Sequence, residues 1–129
     1  MSVAEPWVVT APAVGDLSGA LYRFVSWNGS GGVALVGSAG AAATNGLAGV
    51  LYNSPRSGEA ASVAVEGYAR VYCQNSVAPQ TFITTGASGG VVAAASGDIV
   101  LGRAMEKAVP GDVMEVRLGT PWRLVGAVN

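Results

Sequence analysis

Ser62-Val63-Ala64-Val65-Glu66-Gly67-Tyr68-Ala69-Arg70-Val71-Tyr72-Cys73 is the stretch whose reading decides the fold. Val63 and Val65 alternate with smaller or charged neighbours. After Gly67, Ala69, Val71 and Cys73 fall opposite Tyr68, Arg70 and Tyr72. A period of two places alternate side chains on opposite faces of an extended chain, which is the signature of a half-buried strand. Gly67 reads as the break between two such strands. Outward from this stretch the same grammar repeats. Leu21 to Trp27, Val33 to Val36 and Leu47 to Tyr52 precede it; Phe82 to Thr84, Val91 to Ala94, Ile99 to Met105, Val113 to Leu118 and Trp122 to Val125 follow it. Turn chemistry separates them: Asn28-Gly29-Ser30-Gly31-Gly32, Asn45-Gly46 and Gly86-Ala87-Ser88-Gly89-Gly90. No long segment keeps a helical period. The expected class is all-β, a compact β-barrel or β-sandwich of short antiparallel strands.

The sequence also hints at an internal two-fold repeat. Leu47, Gly49, Gly58, Glu59, Val63 and Val65 return as Val100, Gly102, Gly111, Asp112, Val116 and Leu118, each 53 positions later. In both places a strand ends near glycine, a proline-containing loop follows, and a glycine-acid pair leads into an alternating strand. Two readings stay open: a duplication, or the grammar that all hairpins share.

The first twenty residues differ. Pro6, Pro12, Gly15 and Gly19 interrupt them, and Trp7-Val8-Val9 is their apolar cluster. Proline fixes φ and removes an amide donor, so residues 1–20 read as an extended N-terminal arm and 21–129 as a single β domain. The arm either docks on a partner through Trp7, Val8 and Val9, or is a frayed terminus or an edge strand covering its own barrel.

Composition narrows the function. Of 129 residues, 12% are charged and half are apolar. That is about half the usual charged share of roughly 25%, so part of this surface is expected to be covered by partners. A net charge of −1 with scattered basic residues offers no long-range attraction for nucleic acid or anionic lipid. No apolar run is long enough to cross a membrane as a helix, and no secretory signal is readable. There is no histidine, which removes the commonest general base and metal ligand, and a single cysteine excludes both an intramolecular disulfide and a thiolate zinc cluster. The eight carboxylates are dispersed, and Glu59, Asp98 and Asp112 each follow glycine, as turn residues do. The glycine-rich runs lack the Lys-Ser/Thr and helix of a phosphate loop. No catalytic, cofactor-binding or metal site is expected, and the chain is not expected to be an enzyme. Cys73 reads as a buried, inert thiol and Trp27 as a core residue, while Trp122 fits either core or surface.

Gly49-Val50-Leu51, Gly58 and Val63-Ala64-Val65-Glu66-Gly67 resemble the phage capsid cement (head decoration) family. So do Leu101-Gly102-Arg103-Ala104-Met105, Gly111-Asp112 and Val116-Arg117-Leu118. The resemblance covers roughly Leu47 to Leu118. It implies a β-barrel-like subunit, usually a homo-trimer, on the outer face of an icosahedral head. It further implies an N-terminal arm that lies on, or adds a strand to, the major capsid protein. The function expected on this footing is a capsid-stabilising decoration protein of the virion, made in the host cytoplasm, with the major capsid protein as partner and no small-molecule substrate, nucleic acid or membrane. The alternatives are another virion structural protein (tail, baseplate or fibre domain) and a carbohydrate- or cell-surface-binding β-sandwich that uses Tyr22, Tyr52, Tyr68, Tyr72 and the tryptophans.

Overall fold

A computed structural model of the chain describes residues 6–28, 31–36 and 47–123. Among them are nine strands: β1 (Trp7–Pro12), β2 (Phe24–Trp27), β3 (Val33–Leu35), β4 (Leu47–Leu51), β5 (Ala60–Tyr72), β6 (Phe82–Thr85), β7 (Val91–Ala93), β8 (Ile99–Ala104) and β9 (Val113–Arg123). All strand pairings are antiparallel, in the order β3-β2-β4-β5-β9-β8-β6-β7 with β1 laid along β5.

The architecture turns on β5. Gly67 does not end this strand; it lies within its 13 residues with φ of 97°. Glycine tolerates that conformation, which lets the chain leave one sheet and enter the next without stopping. Before Gly67, β5 pairs with β1 on one edge and β4 on the other. From Gly67 onward it pairs with β9. Each half then curls shut. The first runs β1-β5-β4-β2-β3 and returns to the end of β1 through a parallel bridge between Ala13 and Val33. The second runs from the later part of β5 through β9, β8, β6 and β7 and returns through a parallel bridge between Cys73 and Val91.

These are two copies of one small barrel. The amide of Ala13 donates to Glu59 O at 2.8 Å, and that of Cys73 to Asp112 O at 2.7 Å. Gly58 N donates to Ala13 O at 2.9 Å, and Gly111 N to Cys73 O at 3.0 Å. Tyr22 N reaches Leu51 O, and Gln80 N reaches Ala104 O, both at 2.8 Å. Tyr22 and Gln80 are also, among the described residues, the non-glycine ones with positive φ, 65° and 69°. At Gly49 and Gly102 an added Cβ would collide with a β5 or β9 carbonyl, of Ala64 and Arg117 respectively. Shared turn grammar alone does not produce so many matching long-range bonds, so the repeat is structural, one arrangement built twice. The repeat extends further upstream than the sequence reveals, because the first barrel carries extra residues between β3 and β4 that break the spacing.

Each barrel has its own interior. Leu17, Val25, Val33, Leu51 and Val63 fill the first; Val77, Ile83, Val91, Met114 and Val116 fill the second. Phe24, Val36, Val50 and Ala64, from the outer face of the first barrel, join the same cluster as Ala69, Leu101 and Leu118 of the second. Burying such side chains contributes about 1.5–3 kcal/mol for each large one, so the barrels are fused through a common core.

Of the readings open for residues 1–20, the described part takes that of an edge strand on its own barrel: Trp7–Pro12 pairs with β5, and Ala11, Ala13, Leu17 and Ala20 are buried. Other expectations change. The strand expected from Leu21 begins at Phe24, since Tyr22 takes a positive φ in the preceding turn. Trp27 is 45% exposed instead of buried, because Phe24 and Val25 fill the inner positions of a strand only four residues long. The strand expected at Trp122 is the end of β9. The Asn45-Gly46 turn and residues 124 and 125 of the last expected strand lie outside the described residues.

Candidate functional site

The seam between the barrels shows what a covered face requires. Ser62 O accepts from Tyr52 N at 2.8 Å, so the even-numbered backbone groups of early β5 face β4 and the odd-numbered ones face β1. Beyond Gly67, Cys73 N bonds toward β9, so the amides of Arg70 and Tyr72 point the other way, into the seam. There Arg70 N donates to the Tyr52 hydroxyl at 2.6 Å and Tyr72 N to Tyr22 O at 2.7 Å. Phe24 N donates to Gly89 O at 2.7 Å, and Arg23 Nη1 to Ser88 O at 2.8 Å. The Arg23 guanidinium stacks 4.2 Å over the Tyr72 ring, and Tyr22 meets Tyr52 edge to face at 5.5 Å. Burial holds the Tyr52 hydroxyl above the ordinary tyrosine pKa. Tyr22, Tyr52 and Tyr72 are thus engaged in joining the barrels rather than forming a shared platform for a sugar.

The corresponding strand of the first barrel is β1, and its outer edge is open. The alternation that turns Val9 and Ala11 toward β5 turns the amides of Val8 and Thr10 away from it. Among the described residues nothing bonds to those two amides. Pro12 stands where Tyr72 stands in the second barrel and has no amide to donate. The three residues expected to bind a partner separate here. Trp7 is 65% and Val8 40% exposed, while Val9 turns inward against the first core. A register shift between Trp7 and Val8, where β5 holds an extra residue, lets two successive side chains point out. Sequence reasoning missed Leu35, which is also exposed, and the pairing of Arg103 with Arg117 across β8 and β9, because strand register is not legible in a single sequence.

The groups weighed for chemistry are engaged structurally. Glu59 Oε1, Asp98 Oδ2 and Asp112 Oδ2 accept turn amides from Arg56, Ala95 and Val109 at 2.7, 2.8 and 3.1 Å. This is the turn-locking role their glycine-acid context indicated. Cys73 is buried, donates to Asn75 O at 3.0 Å, and is pushed above the ordinary thiol pKa first by burial, then by the charge of Asp112. Among the described residues no three metal-ligating side chains gather, and no helix is long and apolar enough to cross a membrane.

No protein-family model and no curated protein matches the chain. Among solved structures it resembles the crystal structure of the head fiber gp8.5 N base of bacteriophage phi29. The TM-score is 0.62 at 18% identity, over 89% of this chain and 95% of that one. At that identity the likeness establishes a shared all-β fold.

Proposed function

We propose that the chain is a structural, non-catalytic protein of a phage virion, a base module that seats on the outside of the head and attaches through the β1 edge. The carrying observation is that edge. Its outward amides at Val8 and Thr10 and the exposed Trp7 and Val8 side chains stand where, in the second barrel, the equivalent strand is covered. An open edge of this kind is a template for strand addition, with backbone bonds supplying affinity and neighbouring side chains supplying selection. Fold likeness to a phage head-fibre base supports the virion setting. The partner on this reading is the major capsid protein, and trimerisation on the shell belongs to the same proposal. A shell-stabilising cement protein is the second reading, favoured by the short motifs around Gly49 and Gly102.

The test uses purified particles and empty shells. The protein is expected to copurify with heads, and its copy number separates the readings: lattice-saturating copies indicate cement, far fewer an appendage base. Deleting Pro6 to Thr10 would strip β1 from the first barrel, so point variants are the cleaner probe. Trp7→Ser with Val8→Ser is expected to weaken shell binding by roughly tenfold or more, as loss of an aromatic anchor does, with little change in melting temperature. Absence from particles, or undiminished shell binding by that variant, overturns the proposal.

A further inference from the structure

Across β6, β8, β9 and β5, four residues stand in directly opposed pairs: Phe82 with Arg103, Arg103 with Arg117, and Arg117 with Tyr68. Opposed residues share one face of a sheet, so the row reads aromatic, cation, cation, aromatic. In the first barrel the corresponding row is Phe24, Val50, Ala64 and Val8, paired in the same order. Phe24, Val50 and Ala64 are buried in the seam. Where the row is covered by the other barrel its centre is Val-Ala; where no such barrel covers it, its centre is Arg-Arg.

Simple solvation of a free face does not account for this pair. Like charges directly opposed on neighbouring strands repel, and a surface freed from contact could carry any polar residue. Among the described residues neither guanidinium has a carboxylate partner. Arg103 is held 4.4 Å over the Phe82 ring, which fixes its plane while leaving its N–H edge free. Both arginines line an open cavity of about 460 Å³, together with Val100, Met105 and Leu118. Two exposed guanidinium groups, that of Arg103 held by a ring, beside apolar side chains suit a carboxylate carried between apolar groups.

We infer that this face is a docking site for an extended segment of a partner protein in which an acidic residue is flanked by apolar ones. A second copy of the chain does not fit as occupant in the way one barrel fits the other. Repeating the seam would need the amide that Tyr72 supplies and the hydroxyl that Tyr52 supplies, and the equivalent positions hold Pro12 and Met105. A long polyanion fits poorly as well, because Glu66 is also among the lining residues and the chain carries a net charge of −1, so that two cations suit one carboxylate better than a run of anions.

The site can be tested on the isolated full-length protein, without a virion, so its outcome is separate from that of the attachment proposal. The probe is a fluorescent peptide alternating leucine and glutamate, followed by anisotropy; its leucine-glutamine counterpart and inorganic polyphosphate serve as comparisons. The glutamate peptide is expected to bind, and the glutamine peptide and polyphosphate to bind at least tenfold more weakly. Arg103→Gln with Arg117→Gln is expected to lose roughly ten- to hundredfold in affinity, the loss that accompanies removal of charge-assisted hydrogen bonds. Arg117→Lys, which keeps the charge and the fold but not the planar fork, is expected to fall between. Equal binding of the two peptides, no binding of either, retained binding by the double glutamine variant, or tighter binding of polyphosphate than of peptide would each overturn the inference.

Discussion

The two barrels agree inside and disagree outside. Val33 and Val63 of the first match Val91 and Val116 of the second, all buried, and the backbone bonds that close each barrel agree to within about 0.1 Å at the positions compared above. Even where interior residues change, volume moves rather than disappears: Leu51 with Ala61 in one barrel becomes Ala104 with Met114 in the other. Outside, Val50 and Ala64 face Arg103 and Arg117 as counterparts, and Thr10 and Pro12 correspond to Arg70 and Tyr72. Packing constrains an interior from all sides, so a copy can change there only in compensated ways. An outer face answers only to what covers it. The difference between the copies therefore marks the faces on which the two barrels are no longer interchangeable, one buried in the seam and the other exposed.

The comparison can be broken most forcefully at the glycines. Gly49→Ala drives a methyl into the Ala64 carbonyl from a φ of 151° and is expected to cost about 3 kcal/mol or more. Gly102→Ala meets the Arg117 carbonyl without that φ and is expected to cost about 2–3 kcal/mol. Denaturant midpoints for the two variants measure this; a silent substitution at either site would mean that the two glycines do different work.

The interior exchange is the next test. Met114→Ala alone should lose about 2–4 kcal/mol to the cavity it leaves, and Ala104→Leu alone about 1–3 kcal/mol to overpacking. Together they rebuild the first barrel's arrangement, and the pair is expected to recover to within about 1.5 kcal/mol of the parent. Additive losses in the double variant would show that the two interiors are not interchangeable.

The smallest expected effect lies in the seam and depends on pH. The folded protein holds Tyr52 protonated to higher pH than the unfolded chain does, chiefly through burial. The native state therefore binds the proton more tightly, and its stabilising effect is complete below the ordinary tyrosine pKa of about 10 and declines as pH rises through the folded value. Unfolding midpoints between neutral pH and strong alkali should fall along that slope. Tyr52→Phe should remove the Tyr52 part of the slope while losing about 1 kcal/mol at neutral pH with the bond to Arg70 N. What slope remains has the sign expected of Cys73, whose buried thiol is shifted in the same direction.

Much of this was legible along the chain. Alternation at residues 62–73 sufficed to indicate strands, since period two survives without knowledge of neighbours. The offset of 53 positions located the β4-β5 and β8-β9 copies because the connections within them have equal length. Glycine followed by an acid was enough to identify the turn carboxylates, because the bond they make spans three residues. Cys73 could be placed on an inner face from its neighbours alone.

What required the third dimension was everything that depends on register and closure. Whether Gly67 ends a strand or bends it is decided by β1, β4 and β9, which lie far away in sequence. Whether Trp27 is inside is decided by which residues of a four-residue strand meet the opposite wall. That Arg103 and Arg117 oppose each other, and that their counterparts are buried, emerges only when strands are paired and one barrel is set on the other. Local periodicity is carried by the backbone of each segment, whereas partner choice is carried by long-range contacts; this chain stated the first in its residues and left the second to its packing.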